Sequence, residues 1–349
     1  MSRTKNSILF YLVVSPLGYF LLTHLHHVLL PFNLLHKAEC RNPHLLLETY
    51  SAPGNSVLDR VVCVLVRFCS QAINDPLCFP LTATLLGLAT TSYAVMSVER
   101  VRFNNNRLLA PVMVFFGNVI GTGVIAPLAW LPIYGWTLRN HFSKPNKKTS
   151  STNHTSIRAK VTEESALPVI EPNQAFGIGL AALFGQFLPV ALLVSHGPSL
   201  FQRNILAAFQ YFPITYALFE WIVPCLSRSS LQSKTRKEAK EGVRFLYVGI
   251  AGINAFLSYW VWIKWLQTVS SADGVMKQWV DLFFSFGSTG ENPVAYMLIW
   301  DILAIFSTFA YWAWLEDGKT GLKTICRNTL LFGPGAGLAL YAMKRESRI

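Results

Sequence analysis

The chain has 349 residues, 52% of them hydrophobic and 14% charged, with a formal charge of +12 from 30 Lys+Arg against 18 Asp+Glu. A soluble domain carries about 25% charged residues, so composition excludes a soluble globular protein and predicts an all-α polytopic membrane bundle, a single transmembrane domain over residues 1–349. The basic residues are scattered between apolar runs and form no readable motif, which argues against a nucleic-acid partner; in a membrane protein such an excess sits in cytoplasmic loops facing anionic lipid.

Ile8 to Leu30 predicts the first span, a retained N-terminal anchor over 8–30: Arg3 and Lys5 precede a long apolar run with no A-x-A-like cleavage site. His24, His26 and His27 near its end do not share one helix face, so an interfacial position is read in place of a metal site. A polar loop follows. From Val57 to Ile73, Leu58, Val61, Val62, Leu65, Val66 and Phe68 recur at helical spacing between Asp59, Arg60 and Arg67, which predicts an interfacial or re-entrant amphipathic helix over 57–73. Asn74-Asp75-Pro76 reads as a turn.

Pro80 to Val98 predicts the second span, ending at Glu99-Arg100-Val101-Arg102. Pro111 to Trp136 predicts the third, where Gly117, Gly121, Gly123, Pro127 and Pro132 fit either close helix packing or a broken helix facing a cavity. Residues 139–172 read as a flexible polar loop. Its Asn153-His154-Thr155 fits the glycosylation pattern but is discounted on a basic, cytoplasmic-type loop. Gln174–Ser195 and Arg203–Cys225 predict a hairpin of spans joined at His196-Gly197-Pro198. Further spans follow at Val243–Gln267, Pro293–Leu315 and Thr324–Met343. Crossing at every one gives about eight spans. The basic loops at 31–79, 139–172 and 227–242 then share one side with 316–323, opposite the acidic loop at 268–292, and both termini lie away from the cytosol. The six cysteines have no CxxC spacing and suggest neither a zinc site nor a disulfide framework.

Three acids stand in apolar context. Asp301 lies inside Pro293–Leu315, with Tyr296, Trp300, Tyr311, Trp312 and Trp314 around it in sequence. An ionisable group at that depth is a functional suspect by default, although pairing with an arginine of another helix would account for it equally. Glu220, followed by Trp221, lies late in the Arg203–Cys225 span. Glu99 and Arg102 are three apart and can pair on one helix face, either as a solvated helix end or as an acid held at the mouth of a cavity.

The order and spacing of several short motifs carry a resemblance. Leu58-Asp59-Arg60 and Asn74-Asp75-Pro76 precede the span ending in Glu99 and Arg102 with Asn106-Arg107. Then come Gly117-Asn118, Ala126-Pro127-Leu128, Trp300-Asp301, Gly333-Pro334-Gly335-Ala336 and a final Lys344-Arg345-Glu346. From about residue 57 to its end the chain resembles the fungal integral-membrane terpene cyclases of meroterpenoid pathways, the type associated with ascofuranone and macrophorin biosynthesis.

That resemblance implies an isomerase- or lyase-type terpene cyclase, multi-pass in the endoplasmic reticulum membrane, acting in secondary-metabolite (terpenoid) biosynthesis alongside other pathway enzymes. Its partners would be the bilayer and an apolar prenylated molecule, a farnesyl-type meroterpenoid or its epoxide. A carboxylic acid protonates the terminal alkene or epoxide, and a carbocation cascade closes the rings. Such an acid must carry its proton at neutral pH, which burial favours. Aromatic faces stabilise the cation and water must be excluded. The candidate proton donors are Asp301, Glu99 and Glu220; Trp300, Tyr296, Trp221 and Trp260 are candidate cation-stabilising rings, and Arg102 a candidate for orienting Glu99. No metal or other cofactor is implied, since DDxxD-like clusters for a magnesium diphosphate are absent from the sequence. Acids within spans also fit a proton-coupled transporter or exporter, against which the halves show no inverted repeat; a receptor-like accessory protein is the third class.

Overall fold

The computed structural model describes residues 18–20, 22–23, 40, 56–103, 108–143, 167–195, 200–226, 235–269, 274 and 293–349. The described residues are helical, with no strand. In chain order the helices are α1 (Ser56–Asn74), α2 (Cys78–Arg102), α3 (Leu109–Ile120), α4 (Thr122–Ile125), a π-helical turn (Ala126–Trp130), α5 (Leu131–Ser143), α6 (Pro172–Ala182), a second π-helical turn (Leu183–Phe187), α7 (Leu188–Ser195), α8 (Leu200–Phe209), α9 (Phe212–Leu226), α10 (Arg236–Thr268), α11 (Pro293–Asp317), α12 (Lys319–Phe332) and α13 (Pro334–Glu346). The His24–His27 cluster, the Asn153 sequon, most of the 8–30 anchor, most of the loops at 139–172 and 268–292 and the first half of that at 227–242 lie outside the described residues.

Four helical stretches, Cys78–Arg102, Pro172–Leu193, Arg236–Thr268 and Val294–Asp317, are long and apolar enough to cross a membrane. Large apolar side chains stand outward from the bundle, Phe245 at 80% and Leu330 at 87% exposure among them. Such exposure is costly in water and suits hydrocarbon. The chain is therefore a membrane protein.

Two of the expected spans are hairpins that turn back inside the bundle. The first runs from α3 to α5. Leu109 and Met113, near its start, and Trp130 and Tyr134, on its return, all pack beside Glu99 at the end of α2. Its tip is Gly121, whose φ of 110° only glycine adopts without strain. The second is α12–α13, which turns at Gly333 (φ 85°). Its tip meets Ser258 and Asn254 halfway along α10, and Arg345 returns to Glu99. The expected spans at 111–136 and 324–343 thus each begin and end on one face. The Arg203–Cys225 span is likewise divided, at Gln210-Tyr211 between α8 and α9.

This corrects the predicted sidedness. One face of the bundle carries Arg102, Arg236, Glu316 and the C-terminal Arg345-Glu346. The other carries α1, the start of α2 and the α7–α8 end, joined through Val62, Val66, Leu193 and Leu206. Residues 56–78 therefore lie opposite Leu226, Arg236 and the 317–319 connection, and the C-terminus lies on the same face as these. Alternating the sides at each apolar run fails because two of the runs do not cross.

The cysteine reading is corrected too. Cys40 and Cys63 form a disulfide, Cα–Cα 5.9 Å, that ties the preceding segment to α1. Sequence spacing does not reveal such a pair, because the helix axis decides which thiols meet. The amphipathic helix 57–73 is present as α1, and it packs on α2, α8 and α11 as a wall of the bundle. The turn at Asp75 is present as well: its carboxylate accepts the Leu77 and Cys78 N–H groups at 2.9 and 2.8 Å and starts α2.

Polar groups join the apolar helices at mid-depth. The Asn254 side chain donates to Thr91 Oγ1 (3.0 Å) and to the Ile250 carbonyl (3.0 Å), and Thr91 donates to the Gly335 carbonyl (3.1 Å). Hydrogen bonds between helices fix their mutual placement where apolar burial alone gives little preference, since lipid tails are as apolar as leucine.

Candidate active site

The three suspect acids have different surroundings. Glu99, 2% exposed, takes both Arg345 amino groups, at 2.7 and 3.3 Å. Arg345 also donates from Nε to Glu316 (2.9 Å) and to the Tyr134 hydroxyl (3.1 Å), and its guanidinium lies 5.1 Å from the Trp312 ring centre. Tyr134 donates in turn to Glu316 at 2.5 Å. Arg102 meets Glu346 at 2.5 Å and stands 3.7 Å from Glu99, so its main ion pair is with the C-terminal segment. Glu220 is held by Arg100 at 2.6 Å. Glu99 and Glu220 are therefore neutralised by arginines from other helices, and the space beside Glu99 holds little more than about one water molecule, near 10 Å³.

Asp301 has no arginine or lysine in ion-pair range among the described residues. It is 4% exposed, and its Oδ1 accepts the Gly123 N–H at 2.5 Å. This contact requires the hairpin tip to come very close. A Cβ on Gly123 would overlap Asp301 Oδ1 and lie 2.8 Å from its carbonyl oxygen and 2.9 Å from Ala304 Cβ. The same tip places Thr122 Oγ1 2.6 Å from the Tyr93 hydroxyl.

Asp301, Tyr93 and Thr122 line a cavity of about 380 Å³ between α1, α2, the α3–α4 tip, α8 and α11. Most of its wall is apolar, with Phe68, Phe209 and Phe212 among the aromatic residues. Its size falls within the usual range for small-molecule sites, about 300–1,000 Å³. Asn118, Gln186 and Gln210 supply the remaining side-chain amides.

The structure thus brings Asp301 to the cavity and puts Glu99, Arg102 and Glu220 elsewhere. None of the four expected rings lines it. Trp300 packs against Val124 and Ala304 behind Asp301, with Tyr296 at 6.2 Å from its ring. Trp221 is 38% exposed on the outer surface. Trp260 packs edge-on against Phe79 (6.5 Å) and holds the Lys264 ammonium 4.6 Å from its ring centre. The rings that face the cavity, Tyr93, Phe68, Phe209 and Phe212, come from other helices, where nothing in the sequence sets them apart from ordinary core aromatics.

The model of the CtvD domain matches residues 46–349, nearly the whole chain. The chain belongs to the CtvD-domain family. No curated protein and no solved structure matches it. The CtvD family is associated with fungal meroterpenoid pathways, which suggests a role in secondary-metabolite biosynthesis and is consistent with a biosynthetic enzyme embedded in a membrane. The match begins ahead of α1 and includes both hairpins, so the Gly123–Asp301 contact and the arginine-held acids all lie within the CtvD domain.

Proposed function

We propose that this CtvD-family protein is a terpene cyclase that closes rings in a prenylated, farnesyl-type molecule or its epoxide by proton transfer from Asp301, and that it works in the endoplasmic reticulum membrane. The observation that carries the reading is that Asp301, alone of the three acids, lines an apolar cavity with no arginine or lysine in ion-pair range among the described residues. An arginine beside a carboxylate favours its charged form and makes it a poor proton donor; Glu220 keeps its Oε2 without a partner among the described residues but does not line the cavity. At Asp301 the Gly123 N–H holds Oδ1, and the residue lines the cavity.

In this reaction the Asp301 carboxyl protonates a terminal alkene carbon or an epoxide oxygen. The cation formed is attacked by the next alkene, and loss of a proton to the Asp301 carboxylate, or capture by an internal hydroxyl, ends the sequence. A proton enters and a proton leaves, so no co-substrate is consumed. Tyr93, Phe68, Phe209 and Phe212 offer ring faces to the cation, and the apolar wall keeps water from capturing it. An apolar substrate partitions into the bilayer and reaches the cavity from there.

The test is incubation of microsomes containing the protein with a farnesylated phenol and with its terminal epoxide. Cyclised product is expected from wild type, and at least a hundredfold less from Asp301→Asn at equal protein level. No cyclised product from either substrate with folded wild-type protein, or undiminished turnover by Asp301→Asn, overturns the assignment. Accumulation of unchanged substrate inside sealed vesicles would indicate transport.

A further inference from the structure

The polar side chains on the cavity wall are nearly all paired. Tyr93 and Thr122 hold each other. Asn118 donates toward the Gln210 carbonyl and side chain at 3.4 and 3.5 Å, and Gln210 donates to the Leu206 carbonyl at 3.1 Å. Thr82 donates to the Ala72 carbonyl, and Asp301 accepts from Gly123. Gln186 differs. It is 1% exposed, it lines the same cavity, and its Oε1 has no hydrogen-bond partner among the described residues. A buried acceptor left open is destabilising, and native proteins rarely keep one without a use.

The backbone beneath Gln186 is irregular in a way that bears on its direction. It lies in the π-helical turn Leu183–Phe187, where one extra residue per turn rotates the following side chains relative to a regular helix. Gly185 beside it packs on α9, where an added Cβ would make ordinary contact with Tyr216 Cβ at 3.7 Å. The bulge places Gln186 in the cavity wall.

We propose that Gln186 recognises a hydroxyl-bearing head group of the substrate. The O–H of an alcohol, phenol or enol donates to Gln186 Oε1 while the apolar remainder of the molecule fills the cavity alongside Asp301. This rests on the cavity being the substrate site. It adds that the substrate is amphipathic and enters in one orientation, head group to Gln186, which selects the alkene or epoxide that reaches the acid.

The test measures binding of farnesylphenol and of farnesylbenzene, which lacks only the oxygen, to the purified full-length protein in detergent. Wild type is expected to bind the phenol about tenfold more tightly, the size of one net hydrogen bond in a buried site. Gln186→Met, similar in shape but without the acceptor, is expected to lose that tenfold preference, bind farnesylbenzene as before, and unfold at the same or a higher temperature. Gln186→Leu repeats the comparison with a second side chain. An unchanged preference in both variants means that water or the chain itself serves the amide and overturns the proposal, as does equal loss of both ligands or binding of neither by wild type. Asp301→Asn separates this from the cyclase reading: it should keep the phenol preference while losing product. Loss of the preference only in the Gln186 variants, with turnover persisting in Asp301→Asn, would leave hydroxyl recognition standing and remove the acid assignment.

Discussion

Replacing Gly123 by alanine tests the central contact without touching the acid. A methyl group there overlaps Asp301 Oδ1 and comes within 2.8 Å of the Asp301 carbonyl and 2.9 Å of Ala304 Cβ. Two of these three neighbours are fixed helix atoms, so the hairpin tip must withdraw from α11. Overpacking of this kind costs about 1–3 kcal/mol, and the Gly123 N–H to Asp301 bond goes with it, worth about 1.5–3 kcal/mol if the carboxylate is charged. The second effect bears on function, because the carboxyl loses the donor that sets its direction. Gly252→Ala is the control: a Cβ there meets nothing within 4 Å, and alanine in a helix interior gains up to about 1 kcal/mol over glycine. Both variants would be assayed for thermal unfolding in detergent and for product formation in microsomes. Gly123→Ala should unfold at a lower temperature and lose most turnover, while Gly252→Ala should match or exceed wild type in both. Wild-type turnover by Gly123→Ala would show that the tip does not position Asp301.

The two arginine-held acids give a different signature. Glu220→Gln leaves Arg100 buried without its counter-ion and should cost about 3–5 kcal/mol, whereas Arg100→Met with Glu220→Leu should restore stability to near wild type and keep turnover; denaturation in mixed micelles reads both, and an inactive but stable double variant would give Glu220 a role beyond pairing. Sidedness follows from charge and redox chemistry together. We expect the face carrying Arg102, Arg236 and Arg345 in the cytosol and the Cys40–Cys63 pair in an oxidising lumen. Protease added to sealed microsomes should therefore remove an epitope tag placed after Ile349, while Cys40 and Cys63 stay closed to an impermeant thiol reagent until detergent and reductant are added; a protected tag would invert the orientation.

The helical membrane class was legible in composition, since so few charges cannot cover a soluble surface. Several boundaries were legible too. The amphipathic pattern of 57–73 marked α1, Asp75 marked the start of α2, and the unbroken apolar run around Asp301 marked α11. Asp301 was legible only as one of three candidates, with Glu99 and Glu220, because a carboxyl group in so apolar a run is rare enough to raise suspicion without separating it from the other two.

What the sequence could not decide was where each apolar run goes. A helix that crosses and a hairpin that turns back have the same composition; only the positive φ at Gly121 and Gly333, and the neighbours waiting at each tip, separate the two. Sidedness depends on that distinction, as does the disulfide. The acids show the same division. Glu99, Glu220 and Asp301 read alike along the chain, yet Arg345 and Arg100 reach the first two from other helices and no arginine or lysine among the described residues reaches the third. Trp300 and Trp221 were chosen as sequence neighbours of acids, and the cavity selected spatial neighbours, because residues adjacent on a helix point some 100° apart while an enclosed site is assembled from several helices. Counter-ions, cavity walls and the open amide of Gln186 are properties of packing, and so only the tertiary structure separated the acid that lines the cavity from the two that arginines pair with across helices.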